Sequence, residues 1–478
     1  MHAPLAILGG GPGGYAAAFL AADAGLDVTL IDEQPRLGGT CLLSGCIPSK
    51  ALLHVARVLA EVDELREQWG VEFSTPRIDL EQLRSRKEKI IATLSKGLAQ
   101  LAKRRKVRLI RARGILESST VLRLEREDAS PSDDSMPEDG RLTFDHLILA
   151  TGSSPAVPPS LAVDSPRVMT SADALELTVI PGTLLVIGGG YIGLELGTVY
   201  AQLGAKVSVV EMTGGLLPGV DRDLVKPLHK RLKQQLDDRI FLNTKVEKLE
   251  ADEHGVDVTF QGDAKSGVER FDRVLIAVGR RPRTDNLGLE TTLARCDDRG
   301  FVVCDDVGRT ADEHILAVGD ASGEPMLAHK ASHQAKAAVN ALLGKSPPSG
   351  NRIIPAVVFT DPEIAWAGLT ADQAKAEGRS VKASLYPWAA SGRAQALGRT
   401  EGLTKWIVDP DTDRLLGCGL VGSGAGELIA EAVLALEKQC TVDEVAGAVH
   451  PHPTLSETLM NAAEVYLGTA AEVYKPRR

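Results

Sequence analysis

Cysteine is sparse. Six in 478 residues, at positions 41, 46, 296, 304, 418 and 440, are too few for the disulfide framework of a secreted protein. Only Cys41 and Cys46 stand close enough in sequence to pair locally. Positive charge is also in deficit: 54 Lys and Arg against 64 Asp and Glu leave a net charge of −10, which argues against a sequence-blind binder of nucleic acid. Aromatics make up only 4% of the chain, whereas there are 47 glycines. With 44% hydrophobic and 25% charged residues, that composition describes a glycine-turn-rich globular α/β protein and not a disordered or fibrous one. An unbroken membrane-length apolar run is missing too. Residues 3–22 are uncharged, but six residues of Gly and Pro at 9–14 interrupt them, so no transmembrane segment is expected. Neither a basic leader nor a small-residue cleavage site accompanies this stretch, and a cytoplasmic location is the expectation. The length suits about three domains.

What is present is one unit written twice. The apolar residues 5–8 run into Gly9-x-Gly11-x-x-Gly14, then an alanine-rich stretch, Gly25 and an apolar run ending in Asp32. Adding 179 to each number gives residues 184–187, Gly188-x-Gly190-x-x-Gly193, Gly204 and a run ending in Glu211. The third glycine precedes the acid by 18 residues both times. Strand, glycine turn, helix, strand and acid form the dinucleotide-binding fingerprint. The glycines admit a pyrophosphate to the helix N-terminus, and the carboxylate accepts ribose hydroxyls. Two copies predict two dinucleotides. Glu211 would repel a 2′-phosphate, and no Arg follows among residues 212–215, so the second copy is expected to take NAD over NADP. Three further strand-like runs end in glycine, at Gly152, Gly279 and Gly319, where bare backbone at a sheet's carboxyl end suits a ligand.

Directly after the first copy comes Gly38-Gly39-Thr40-Cys41-Leu42-Leu43-Ser44-Gly45-Cys46-Ile47-Pro48-Ser49-Lys50. Two thiols five apart near a helix start suit disulfide exchange, because the helix N-terminal field favours thiolate. A metal site would need a second Cys/His pair at ligand spacing, and none is near. Nicotinamide moves hydride while a disulfide opens by thiolate attack, so the two need a carrier able to do both. Flavin is such a carrier, which assigns FAD to the first copy and NAD to the second.

These residues, with Gly190-Tyr-Ile-Gly193-Leu-Glu195, Val278-Gly279-Arg-Arg-Pro282, Ala317-Val-Gly-Asp320, Met326-Leu327-Ala328-His329, Phe359-Thr-Asp-Pro-Glu363 and His450-Pro-His452-Pro-Thr-Leu-Ser-Glu457, resemble the pyridine nucleotide-disulfide oxidoreductases over almost the whole chain. The resemblance is to the branch that oxidises dihydrolipoamide carried on the proteins of 2-oxoacid dehydrogenase or glycine cleavage complexes, with NAD reduced to NADH. Glutathione- or mercuric-reductase-like activity is the alternative within the class. The residue set after Cys46 ends in Ser49-Lys50, and no cysteine pair lies near the C-terminus.

The resemblance implies two Rossmann-like domains, for FAD (1–154 with 279–348) and NAD (155–278), and a C-terminal α+β dimerisation domain (349–478) in a homodimer. It makes Cys41 the interchange thiol, Cys46 the thiol beside the flavin, and His452 the acid/base, oriented by Glu457 and lent by the partner subunit. Lys50 and Glu195 would pair beside the flavin ring, and Asp320 would bind its ribityl and phosphate region. Implied FAD contacts are Gly9, Gly11, Gly14, Asp32, Gly39, Thr40, Gly114, Thr151, Gly152, Ser153 and residues 326–329. Implied NAD contacts are Gly188, Gly190, Gly193, Glu211, Val246 and Gly279.

Blander readings stand beside these. Thr454-Leu455-Ser456-Glu457 is also a helix capping box, and the residues alone give His450 no role. Leu43-Ser44, Ser332, Gln334 and Asp32 depart from the family's usual residues. Residues 84–113 carry twelve Lys or Arg against one Glu. Because Ile90, Ile91, Leu94, Leu98 and Leu101 share a helical face, the charges are expected on the solvated side of an amphipathic helix. Residues 128–140 are expected as a solvated hairpin loop, and Pro347-Pro348-Ser349-Gly350 as a boundary.

Overall fold

The computed structural model describes residues 1–126, 136–345 and 352–474. The expected boundary at 347–350 and most of the 128–140 loop lie outside them.

The first copy folds as its pattern requires. Strand His2–Leu8 enters helix Pro12–Asp23, with proline at a first-turn position whose N–H has no helical partner to lose. The chain returns as Val28–Asp32, parallel to the first strand. Ala17, Ala18 and Ala21 are fully buried, so small side chains let this helix lie close against helix Ala328–Leu342. The sheet then runs in the order Arg108–Arg111, Val28–Asp32, His2–Leu8, Arg141–Leu149, Val121–Glu125, Arg113–Ser118. Strand Ile315–Ala317, far along the chain, completes it by pairing in parallel with Arg141–Leu149.

The second copy builds its own parallel sheet from Ile240–Phe241, Lys206–Val210, Thr183–Ile187, Arg273–Ile276 and Val168–Met169. An antiparallel meander, Thr244–Ala251, Val256–Gly262 and Gly267–Phe271, is attached to it. Short strands Ser153–Pro155 and Arg280–Pro282 pair antiparallel where the chain leaves the first sheet's body and where it comes back. A third sheet, Ala356–Val358, Glu363–Gly368, Leu415–Gly422, Leu403–Val408 and Lys382–Pro387, is antiparallel throughout and backed by helices Ala425–Glu437 and Glu457–Leu467.

The basic helix, Leu80–Arg104, faces differently from its apolar pattern. Leu94 and Leu101 are exposed, and the buried side carries Lys87, Ile91, Ser95 and Ala102. Two polar residues bury because each finds a carbonyl: Lys87 Nζ donates to Leu175 O at 2.6 Å and Ser95 Oγ to Leu37 O at 2.8 Å. The residues 39–68 are long and apolar enough to cross a membrane by length and composition. Here Gly45 breaks them into two helices, and Leu52, Leu53 and Ala56 pack in the core.

Lys405, on the third sheet, is buried with its ammonium 2.6 Å from Asp221 and 2.8 Å from Asp223, at the start of helix Arg222–Gln235 of the second unit. Burial pushes the Asp221 carboxyl up, but the Lys405 ammonium and the N–H groups of Ala371 and Asp372 outweigh it and hold its pKa below the ordinary value. Asp221 therefore contributes stability above the ordinary carboxylate range and loses it as pH falls through the lower, folded value. Lys405→Met strands a buried carboxylate. It is expected to destabilise the protein by about 3–5 kcal/mol at neutral pH, seen as a lowered thermal midpoint, with much of the penalty relieved in acid where Asp221 is protonated.

Candidate active site

The carboxyl ends of the first sheet open onto a cleft of about 590 Å³ that runs from Asp32 past the glycine turn to Cys46, Lys50 and Glu195. The turn itself explains its glycines. Gly9 has φ +109°, and a Cβ there would lie 2.2 Å from Ala150 O; Gly188, its counterpart, has φ +110° and the same conflict with Ala277 O at 2.4 Å. The acids repeat too. Asp32 accepts the Gly10 and Gln34 N–H groups, and Glu211 accepts those of Gly189 at 2.7 Å and Thr213 at 2.8 Å. Each carboxylate thus braces its own glycine turn while lone pairs remain for a ligand hydroxyl. Burial raises the Asp32 pKa, and the two N–H groups oppose that rise.

The cleft's lining fits a flavin dinucleotide. A Cβ on Gly39 would come 2.5 Å from Gly11 Cα, so two bare backbones form one cradle. The Thr151 hydroxyl, in the same lining, is buried without a hydrogen-bond partner. Thr40, Gly114, Gly152, Met326 and Ala328 also line it. So does Asp320, whose Oδ2 accepts from Ser153 Oγ at 2.6 Å; Arg280 donates in turn to Ser153 Oγ and O, both at 2.8 Å. Gln334, one of the departures noted above, accepts the Gly319 N–H beside Asp320 at 2.9 Å.

The remaining expected residues sit elsewhere. Gly14 lies behind the cradle, where a Cβ would strike Gly9 O. Leu327 caps helix Ala328–Leu342, and His329 Nε2 donates to Pro355 O at 2.7 Å. In the second unit, Gly193 packs helix on strand as Gly14 does, whereas Gly190 faces open space at the N-terminus of helix Tyr191–Gln202, where a pyrophosphate fits. Gly279 is likewise unobstructed beside the linker strands, and Val246 is half-buried against the meander's interior cluster.

Cys41 lies in helix Gly39–Ser44, and Cys46 opens helix Cys46–Gln68. Gly45 turns the chain between them so tightly that a Cβ would sit 2.8 Å from Thr40 O. The two thiols are free and hydrogen-bonded to each other. The bond from Cys41 lowers the Cys46 pKa to about 7, aided by the Lys50 charge and opposed by burial. The same bond, with burial, pushes Cys41 up. Cys46 is therefore the thiol of the pair whose ionised form is favoured; both residues line the cleft, and Cys46 is the more exposed of the two. Lys50 Nζ donates to Glu195 Oε2 at 2.8 Å, and the Glu195 side chain is 4% exposed, far from the solvated fate of most helix carboxylates. Tyr191, between the two units, lines the cleft, and burial pushes its pKa up to about 12. Sequence reasoning assigned no task to Tyr191, Arg280 or Gly10.

His452 is distant from this cleft in chain terms and lies on the third body, its side chain 77% exposed. Its Nδ1 meets Glu457 Oε1 at 2.8 Å, and Glu457 Oε2 accepts the Thr454 N–H at 2.7 Å. One carboxylate therefore both aims a histidine and ties down the turn before helix Glu457–Leu467; the expected capping box is not formed, because Ser456 is the N-cap and the Thr454 hydroxyl bonds Pro451 O instead. Burial raises the Glu457 pKa, but the Thr454 N–H and the neighbouring His452 and His450 bring the net direction down, favouring the carboxylate. His450 is spent on structure: Nδ1 lies 2.8 Å from Ala448 O and Nε2 2.7 Å from Glu431 Oε1.

Known proteins share this organisation. A family model for pyridine nucleotide-disulphide oxidoreductases matches residues 3–335, and the dimerisation-domain model of the same family matches residues 354–463. A dihydrolipoyl dehydrogenase of Vibrio cholerae is 43% identical over 474 residues, 99% of this chain and 97% of that one. Another, from Geobacillus stearothermophilus, is 38% identical over 467 residues, 98% and 97% of the two chains. Among solved structures, LpdA of Mycobacterium tuberculosis superposes with a TM-score of 0.87 at 29% identity, covering 97% of this chain and 99% of its own. The HOCl-induced flavoprotein disulfide reductase RclA of Escherichia coli, as its Cu(II) complex, gives 0.85 at 27% identity over 97% and 99%. Two nucleotide-binding turns, a thiol pair between them and a third, antiparallel body therefore have their precedent, and the chain belongs to the pyridine nucleotide-disulphide oxidoreductases.

Proposed function

We propose that the protein oxidises protein-bound dihydrolipoamide to lipoamide and reduces NAD⁺ to NADH. The observation that carries this reading is the thiol pair at the end of a dinucleotide-sized cleft, both cysteines lining it and the Cys46 pKa lowered. In the oxidised enzyme Cys41 and Cys46 form a disulfide. A substrate thiolate attacks Cys41 Sγ, the bond between the two enzyme sulfurs breaks, and Cys46 leaves as the thiolate its helix N-terminus and Lys50 favour. The second substrate thiol gives its proton to His452 of the partner subunit and displaces Cys41, so the substrate departs as its disulfide and the enzyme holds the dithiol. Bound FAD supplies the two-electron acceptor that links this dithiol to nicotinamide. Gly9, Gly11, Gly39, Asp32 and Asp320 would hold it, and Gly188, Gly190 and Glu211 would hold NAD.

The full-length relatives support the substrate assignment by their names, and the dimerisation domain supports a homodimer. The carriers are lipoylated proteins of 2-oxoacid dehydrogenase or glycine cleavage complexes, met in the cytoplasm. The test is a stepwise dithionite titration of the purified protein followed by a dihydrolipoamide plus NAD assay. A yellow protein with a long-wavelength band at half reduction and robust NADH formation is expected. A colourless protein, or one inactive on dihydrolipoamide, refutes the reading.

Glu211 makes nucleotide choice a separate prediction. With both oxygens fixed by the backbone of residues 189 and 213, its carboxylate cannot swing away from a 2′-phosphate. NADP is expected to support at least about 100-fold lower kcat/KM than NAD, equivalent to the roughly 3 kcal/mol of a close like-charge conflict. Equal rates would overturn the assignment.

A further inference from the structure

Lys50 is held by more than its ion pair. Glu195 spends one oxygen on Lys50 Nζ at 2.8 Å and the other on the backbone N–H of Phe359 at 2.9 Å. The Phe359 ring lies beneath the same ammonium, 4.5 Å from Nζ to the ring centroid. The three residues come from three different bodies: the cysteine helix, the opening helix of the second unit, and the segment that follows strand Ala356–Val358 of the third sheet. A lysine is a compact charge on a flexible four-carbon stem, and one carboxylate alone leaves it free to swing. Lys50 is 31% exposed, so water in the cleft offers an alternative. An aromatic face under the ammonium closes that direction, because the ring quadrupole attracts the cation.

We propose that Phe359 is a positioning residue for the thiol pair: its ring and its N–H clasp Lys50 and Glu195, and so fix the Lys50 charge beside Cys46. The proposal rests on the reading of Cys41 and Cys46 as an exchange pair. The groups that face Cys46 are Cys41 from helix Gly39–Ser44, Lys50 from its own helix, Glu195 and Tyr191 from helix Tyr191–Gln202, and Tyr15 from helix Pro12–Asp23. Lys50 is the cation of this set. Both tyrosines have raised pKa values and stay neutral, so Lys50 is what offsets Glu195 and favours the thiolate. Phe359 belongs to the body that also bears His452 and Glu457, so the same body that places the ammonium in its own cleft carries the histidine it lends to the partner subunit's cleft.

The experiment follows the long-wavelength thiolate–flavin absorbance of the half-reduced holoprotein against pH, whose loss in acid reports protonation of Cys46. The wild type should show a midpoint below that of a free thiol, the direction its surroundings set. Phe359→Leu keeps apolar bulk and the backbone N–H but removes the ring, and should raise the midpoint by about half a pH unit, roughly a 2-fold smaller thiolate fraction at the wild-type midpoint. Phe359→Tyr keeps the ring and should restore the wild-type profile. FAD content and elution as a dimer are checked in each variant. A Phe359→Leu midpoint equal to that of the wild type, in a folded and FAD-loaded protein, overturns the proposal. A wild-type Cys46 that titrates at or above the range of a free thiol sinks the thiol reading instead.

Discussion

Cys46→Ser is expected to yield a yellow protein that oxidises dihydrolipoamide at least about 10³-fold more slowly than the wild type, because a covalent exchange partner has been deleted and not merely detuned. A serine hydroxyl cannot close a disulfide with Cys41, so a substrate thiolate finds no sulfur–sulfur bond to attack. The cradle for FAD draws on Gly9, Gly11, Gly39 and the unpartnered Thr151 hydroxyl, none of which the substitution touches. NADH-driven reduction of an artificial acceptor should therefore persist. The measurement is NADH formation from dihydrolipoamide, with the visible spectrum as the control for cofactor content. Appreciable turnover by this variant would remove the disulfide from the reaction.

His452→Gln carries the second large effect. The imidazole is presented outward, with Nδ1 fixed by Glu457 and the opposite nitrogen without a hydrogen bond among the described residues. A glutamine of similar size keeps a hydrogen bond to Glu457 but cannot take a proton. Loss of one positioned acid/base costs about 10²–10⁴-fold. That loss should fall on thiol oxidation and spare the nicotinamide half of the reaction. Mixing His452→Gln subunits with Cys46→Ser subunits gives a sharper reading, since a histidine lent across a dimer restores one complete site in each mixed pair. An unimpaired His452→Gln enzyme would leave the thiol proton without this acceptor.

Much of this site was legible in the residues because the repeat is local: each glycine turn, helix and acid lies within about 30 residues. The spacing told that Asp32 and Glu211 matter, but not that each would brace the middle glycine of its own turn, a bond set by loop geometry. Two informative positions show up as breaks in the repeat. Tyr191 and Glu195 stand where the first copy has Pro12 and Ala16, and those are the side chains that reach across to the thiols and Lys50. Long-range partners left no such mark. Glu195 meets Phe359 across 164 residues of chain, and nothing near either residue announces the other. Periodicity misjudged the basic helix for a related reason: Lys87 and Ser95 bury because distant carbonyls receive them, and a scale that counts apolar residues has no entry for an acceptor supplied from elsewhere.

The paired linker strands at 153–155 and 280–282 have a consequence for how the protein is made. All five strands of the second parallel sheet lie between residues 168 and 276, so that unit is complete as soon as its last strand leaves the ribosome. The sheet that began the chain must wait for Ile315–Ala317 and for the helix after it. During translation the later-encoded unit is therefore the first able to finish, while the earlier one stays open beside it with an unfilled strand position. Because the inserted unit enters and leaves through adjacent strands, its early closure brings the two halves of its host together and shortens the search for that missing strand.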